Sequence, residues 1–156
     1  MTRLRRALTG ILMALAATAG VLSVAQPASA AIPDYCAQWN WDDGREVHVT
    51  NDANGGGASV DATICMAYNS DGTYISLVVF EVTDTKANGA GATIRMEWAD
   101  YDGTTHYDVP IEAHRAWSFG ETVNGDWRDD RTKTDLYVRA CLTNAANEAH
   151  HCGGKA

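Results

Sequence analysis

Apolar and polar residues alternate along much of the chain after residue 30, and the strongest pattern surrounds one polar turn. The turn segment 69–72 (NSDG) consists of residues that bond their own backbone or tolerate positive φ angles. β-Branched, apolar and aromatic residues dominate on both sides of it, which predicts a β-hairpin over Ala62–Val82. Its second arm, residues 74–82, is the most apolar run beyond residue 30.

A four-residue loop sets the register of this hairpin by pairing Met66 with Ile75 and Ile64 with Leu77. The residues expected on the core face are then Ile64, Met66, Ile75, Leu77 and Val79. Those expected on the opposite face are Cys65, Ala67, Tyr74, Val78 and Phe80. Because that second face is also apolar, we expect another segment to cover it. A loop one residue longer or shorter would exchange the two faces.

Shorter segments follow the same two-residue period elsewhere. Strands are predicted over 45–51, 92–99, 107–111, 117–119 and 136–143. The segment Val123–Lys133 is mostly polar and is predicted to be a loop, and residues 31–44 are expected to lack regular structure. About seven short strands separated by turn signals predict an all-β fold, an antiparallel β-sandwich of immunoglobulin-like architecture. A small β-barrel is the alternative.

The first 30 residues differ from the rest in composition. Three arginines precede an uncharged run over 7–24, and Ala28-Ser29-Ala30 provides an A-x-A cleavage site. This order predicts a signal peptide over residues 1–30 and a single secreted β-domain over residues 31–156. A transmembrane anchor is the alternative, although the apolar run is near the lower length limit for a membrane span.

The charge of the chain after residue 30 limits the classes of partner. Three of the twelve basic residues and none of the twenty acidic ones lie in the predicted signal peptide, which leaves a formal charge of −11. A surface this acidic disfavours nucleic acid and anionic membranes as partners, because both carry the same sign of charge.

Four cysteines remain after cleavage, and an even number in a small exported domain predicts two disulfides. The pairs Cys36–Cys65 and Cys141–Cys152 are favoured, because the strand registers place Cys65 and Cys141 on outward faces. The immunoglobulin-like alternative pairs Cys65 with Cys141 across the two sheets and needs both side chains in the core. The sequence leaves this choice of connectivity open.

The motifs of common catalytic and metal sites are missing from the sequence. No serine lies in a G-x-S-x-G motif, no histidines have H-E-x-x-H spacing, and every cysteine is assigned to a disulfide. His150 and His151 lie beside Cys152, and they would form a metal site only if that cysteine were reduced. We therefore predict a protein that is not an enzyme and that has no cofactor and no metal ion.

Tryptophan and arginine form the predicted binding site. The chain has five tryptophans, of which Trp98 falls at an alternating core position. Trp127 and Arg128 lie in the predicted polar loop and form the first candidate, because these residue types dominate binding hot spots. Trp39 and Trp41 form the second candidate, and we also expect them to cover the outer face of the hairpin.

Together these features predict a secreted, non-catalytic binding module that engages another exported protein or a cell-surface component. One alternative is an inhibitor of a secreted hydrolase, in which the segment Val123–Lys133 forms a rigid loop in the cleft of the target. A second alternative is a carbohydrate-binding module, which requires two or more exposed, coplanar tryptophans on one face.

The segment DLYVRACL, a strand that ends near Cys141, occurs here with an alanine-rich signal and an acidic domain. In these respects the chain resembles small secreted two-disulfide β-proteins of actinobacteria. In design it is also similar to secreted α-amylase inhibitor proteins, which are β-sandwiches with two sequential disulfides and a Trp-Arg-Tyr triplet on an exposed turn. In this chain Trp127-Arg128 is followed by Asp129 and lies late in the sequence.

Overall fold

The computed structural model describes residues 31–146 and 148–156, and within them the chain is almost entirely β-structure. The strands are β1 (Asp43–Thr50), β2 (Ala58–Tyr68), β3 (Tyr74–Asp84), β4 (Gly91–Ala99), β5 (Thr105–Asp108), β6 (Thr122–Lys133), β7 (Asp135–Thr143) and β8 (Ala149–His150). A five-residue helix, α1 (Asp34–Gln38), precedes them, and 3-10 turns lie at Asp52–Asn54 and Glu112–His114. The predicted signal peptide, residues 1–30, lies outside the described residues.

The strands form two antiparallel sheets of four strands each. Sheet 1 has the order β1-β2-β3-β6, and sheet 2 has the order β5-β4-β7-β8. The predicted all-β antiparallel sandwich, with two packed sheets as in immunoglobulin-like architecture, is confirmed. Strands β1, β4 and β7 begin and end within two residues of the predicted positions.

One hydrophobic core lies between the sheets, because alternate residues of each strand point inward. Sheet 1 contributes Val49, Val60, Ile64, Met66, Val78, Phe80, Val82 and Trp127. Sheet 2 contributes Ile94, Met96, Trp98, Leu136, Val138 and Leu142. Each buried side chain of this size contributes about 1.5–3 kcal/mol relative to an exposed one, so this core is the main source of stability.

The central hairpin has a loop one residue longer than predicted. Asp71 closes it by accepting hydrogen bonds from the Thr73 backbone N–H at 3.0 Å and the Thr73 hydroxyl at 2.6 Å. The first pair of the ladder is therefore Tyr68 with Tyr74, and Ile64 lies opposite Val78. The faces of β2 are as predicted, but those of β3 are exchanged. Tyr74, Val78 and Phe80 face the core, and Ile75, Leu77 and Val79 lie half-buried on the outer face.

The predicted polar loop over 123–133 is wrong, because this segment forms the edge strand β6. It pairs with β3 along its length, with Val82 opposite Val123 and Val78 opposite Trp127. The small and apolar residues of β6 alternate with polar ones, and the alternation is masked by charged residues on both sides of Trp127. An edge strand with one wet face tolerates this composition.

Two other predicted elements differ from the structure. Residues 117–119 do not form a strand, because the Glu121 carboxylate accepts the backbone N–H groups of Trp117 at 2.6 Å and Ser118 at 2.9 Å and closes a turn. The lead-in over 31–44, expected to be irregular, contains helix α1. The predicted strand over 107–111 begins earlier, as β5, and it ends before Pro110, which has no N–H for a ladder.

Both disulfides of the favoured pairing are formed, Cys36–Cys65 and Cys141–Cys152. The first ties α1 to the outer face of β2 across Gly44, where a Cβ would lie only 2.6 Å from the Cys36 sulfur. No cysteine is left free, and two structural disulfides are typical of an oxidising, extracellular compartment. Among the residues that the structure describes, no helix has the length and apolar character needed to cross a membrane.

Candidate binding face

A groove of about 430 Å³ lies on the outer face of sheet 1. Its lining residues are Tyr35, Trp39, Asn40, Trp41, Ala67, Ile75, Leu77 and Arg128. The aromatic wall comes from α1 and the segment that follows it, and the aliphatic floor comes from β2 and β3. Three of the four predicted binding residues, Trp39, Trp41 and Arg128, therefore line the same groove.

The aromatic wall is held in place by one covalent bond and two backbone hydrogen bonds. The Cys36–Cys65 disulfide fixes α1 on β2. The Trp41 N–H donates to the Cys36 carbonyl at 3.0 Å, and the Asp42 N–H donates to the Met66 carbonyl at 3.0 Å. These contacts direct the chain from the end of α1 to the start of β1 and hold the Trp39 and Trp41 rings beside the hairpin.

The wall covers the outer face of the hairpin only in part. Trp39 is 62% exposed and Tyr35 is 41% exposed. The floor residues Ile75 and Leu77 remain partly exposed below them. Sequence reasoning did not predict this floor, since it expected Leu77 in the core. The residue that would have predicted this floor is Asp71, because it closes the longer loop of the hairpin and so sets which side chains of β3 point outward.

Trp127 does not belong to this groove, which corrects the first predicted site. It is 9% exposed, and its ring packs against Trp98 with a centroid distance of 5.4 Å. Its indole N–H donates to the Asp108 carboxylate at 2.9 Å. Because successive residues of a strand point to opposite faces, Trp127 lies in the core and Arg128 points outward.

Arg128 forms one side of the groove from β6, directly opposite Leu77 on β3. Its Nε donates to Asp130 at 2.9 Å, and both side chains are more than half exposed. A surface pair of this kind contributes at most about 1 kcal/mol. The guanidinium is therefore free to exchange this partner for one supplied by a ligand.

Carboxylates lie farther along the same face. One hollow, which shares Leu77 and Arg128 with the groove, is lined by Asp126, and the next hollow along is lined by Glu46, Asp61 and Glu81. His48 pairs with Asp61 at 2.7 Å, which leaves an excess of negative charge. We call this surface, from the aromatic wall to these carboxylates, the groove face. It presents an apolar strip with an acidic margin.

A second polar cluster lies on the outer face of sheet 2. Glu97 is 5% exposed and accepts contacts from Arg95, from Arg139 Nε at 3.1 Å and from Lys155 Nζ at 2.9 Å. Burial raises the pKa of this carboxyl group, but the Lys155 and Arg95 hydrogen bonds outweigh that effect and lower it overall. The carboxylate is therefore ionised, and the cluster is net positive.

Aromatic side chains flank this cluster in the same sheet. Tyr107 and Tyr137 both pair with Glu97, from opposite sides of β4. The Arg95 guanidinium lies 5.6 Å from the centre of the Tyr107 ring, and Lys155 Nζ lies 5.3 Å from the centre of the Tyr137 ring. We call this surface the basic-aromatic face. Arg95 and Glu97 alternate with core residues on β4, which is the sequence signal for their outward position.

A third charged group is buried at the end of sheet 1. Lys133 is fully buried, and its Nζ donates to the carbonyls of Arg131 at 2.6 Å and Asp129 at 3.2 Å. Burial lowers the pKa of Lys133, and the nearby Asp129 carboxylate opposes that effect. These contacts stabilise a β-bulge in β6, where Tyr74 pairs with Lys133 and Ser76 pairs with Asp129. The cluster is enclosed, and its hydrogen bonds go to the backbone carbonyls of the bulge.

The histidine pair at the end of β8 does not have a metal-site geometry. The Nδ1 atoms of His150 and His151 lie 2.6 Å apart, and Cys152 is held in its disulfide. The described residues hold no group of three or more histidine, cysteine or carboxylate side chains that would bind a metal ion.

Comparison with protein-family models, with curated proteins and with solved structures finds no match to this chain. The resemblance to secreted α-amylase inhibitors in particular has no support in the site, because Trp127 lies buried in a strand. Evidence about function therefore comes from the two outer faces of the sandwich.

Proposed function

We propose that the protein is a secreted, non-catalytic binding module and that the groove face engages another exported protein. The observation that supports this proposal is the half-exposed aromatic and aliphatic groove on sheet 1, next to an arginine. Soluble monomers seldom leave a contiguous apolar surface of this kind open to water unless it is used.

The composition of the groove agrees with a protein partner. Tryptophan, tyrosine and arginine are the residue types that dominate binding hot spots. Here Trp39 and Tyr35 stand on a wall that a disulfide keeps in place, so little conformational entropy is lost when a partner binds. The floor of Ile75 and Leu77 would be removed from water by an apolar side chain of the partner.

The acidic margin indicates the charge of that partner. Asp126 lines a hollow together with Leu77, Glu81 lines the next hollow along, and the chain after residue 30 has a formal charge of −11. A partner with an apolar contact surrounded by lysine or arginine would be steered to this face and oriented on it. A uniformly acidic partner would be repelled.

The test is capture of partners from culture medium by the oxidised protein that lacks the predicted signal peptide, residues 31–156. A hot-spot tryptophan contributes about 2 kcal/mol or more, so Trp39→Ala should weaken binding of the captured protein about 30-fold. Trp117→Ala is the matched control, because Trp117 is also a partly exposed tryptophan but lies outside the groove. Equal binding by the two variants would refute the proposed site.

The two alternatives lead to different results in the same experiment. The carbohydrate-binding alternative is favoured by Trp39 and Trp41 in one groove, and it predicts glycan binding that is sensitive to Trp39→Ala without a protein partner. The inhibitor alternative predicts that the captured protein is a hydrolase that loses activity upon stoichiometric addition. The segment proposed as its inhibitory loop, Val123–Lys133, is an edge strand, so such an inhibitor would act through the groove face.

A further inference from the structure

A group of basic side chains meets on the outer face of sheet 2. The chain has nine basic residues after residue 30, and three of them, Arg95, Arg139 and Lys155, meet around Glu97. The four side chains together carry a net charge of +2. Asp135 lies at one margin of this surface, and the surface remains net positive when it is included.

The basic-aromatic face has the properties that the groove face requires of a partner. Tyr107 is 71% exposed and Tyr137 is 36% exposed, so two aromatic rings project beside the cationic groups. The groove face offers an apolar strip and an excess of carboxylates. The two faces thus have opposite charge, and both carry apolar groups that can be buried against each other.

We propose that the basic-aromatic face of one molecule docks on the groove face of a second copy of this chain. This inference rests on the proposed function of the groove face and names its partner. The two faces lie on opposite outer sides of the sandwich, so the contact is heterologous. An open assembly then keeps one free groove face at one end and one free basic-aromatic face at the other. Such a contact produces head-to-tail chains, or a ring if the rotation closes.

The size of the faces sets the strength of this association. A face of four strands about 4.8 Å apart, used over about five residues, offers roughly 300–400 Å². Stable interfaces bury about 800 Å² on each partner, so this contact is in the weak and transient class. The net negative charge of both copies opposes it further at low salt, where repulsion is least screened. Association should therefore be detectable only at high protein concentration.

Sedimentation of the oxidised protein over residues 31–156 at physiological salt, from about 10 μM to about 1 mM, measures this association. The average mass of the unmodified protein should rise past that of a dimer. Trp39→Ala on the groove face and Lys155→Glu on the basic-aromatic face should each weaken the association at least about tenfold. Lys155→Glu places a carboxylate beside Glu97, so Tyr107→Ala is a second variant of that face. Lys86→Glu, in the loop between β3 and β4, is the charge-matched control.

Mixing the variants tests the head-to-tail geometry itself. Trp39→Ala retains an intact basic-aromatic face, and Tyr107→Ala retains an intact groove face. Each alone should remain monomeric, whereas an equal mixture should form dimers that grow no further, because each dimer exposes only the two altered faces. A dimer formed equally well by either variant alone would overturn the proposal.

A protein that stays monomeric up to the highest concentration would also overturn this inference. If partner capture from medium nevertheless remained sensitive to Trp39→Ala, the proposed function would stand and only the identity of the partner would be wrong. If Trp39→Ala changed neither capture nor association, both proposals would fail together.

Discussion

Opening the Cys36–Cys65 bridge is expected to reduce stability and to remove the groove at the same time. Replacing both cysteines by serine releases a link between residues 29 positions apart, and the corresponding change at Cys141 and Cys152 releases a link of 11 positions. The loop-entropy relation gives about 3.6 kcal/mol for the first bridge and about 2.8 kcal/mol for the second. The two losses of unfolding free energy are therefore similar in size.

The two changes should differ sharply in their effect on binding. The first bridge fixes α1 on β2, and without it the wall that carries Trp39 and Trp41 is no longer held beside the floor at Leu77. The second bridge joins β7 to the segment after β8, on the other sheet. Partner capture should be lost in the first double variant and retained in the second.

Urea unfolding followed by circular dichroism measures the two free energies, and iodide quenching without urea measures tryptophan exposure. Quenching should increase when the first bridge is removed and stay unchanged when the second is removed. Reduction of both disulfides in the unmodified protein should likewise increase quenching, because it also opens the Cys36–Cys65 bridge. Equal quenching and equal partner capture by both double variants would refute the role assigned to the Cys36–Cys65 bridge.

Two further predictions concern the core. Burial raises the pKa of Tyr74 to about 12. This folded pKa lies above the unfolded value of about 10, so burial of the neutral phenol adds fully to the stability of the fold below pH about 10. That stability is lost as the pH rises from about 10 to about 12. Thermal unfolding at several alkaline pH values should show a shallower fall in Tm for Tyr74→Phe, and an unchanged fall would contradict this. Trp127→Ala should reduce the unfolding free energy in urea by about 3–5 kcal/mol, because it removes the packing on Trp98 and the hydrogen bond to Asp108. Loss of partner capture by folded Trp127→Ala, with stability unchanged, would show that Trp127 belongs to the binding site.

The parts of the fold that follow from local pattern were predictable from the sequence. Strands β1, β4 and β7 alternate cleanly, and their positions were predicted. The disulfide pairing followed from the outward position of Cys65 on β2, which the structure shows. In the groove, Trp39 and Trp41 were expected beside the hairpin because its outer face needed a cover.

The parts that were wrong depended on a single residue or on a distant partner. The hairpin loop required Asp71 to bond Thr73, and that one extra residue exchanged the faces of β3. Strand β6 has too many charges to be recognised by its own composition, since its pairing with β3 determines its conformation. Trp127 was assigned to the surface for the same reason. Side chains that meet across strands, such as Arg95, Glu97 and Arg139, are adjacent only once the sheet has formed.

The bulge at the end of β6 has a consequence for the solubility of the protein. β6 is an edge strand, and an edge with an unbroken series of N–H and C=O groups is a template for aggregation. The Lys133 ammonium occupies the carbonyls of Asp129 and Arg131 inside this edge. The ladder is therefore interrupted between Asp129 and Lys133, and an incoming strand cannot extend its pairing through this end of the edge. At this end of β6 the bulge therefore acts against the edge-to-edge pairing that leads to fibrils.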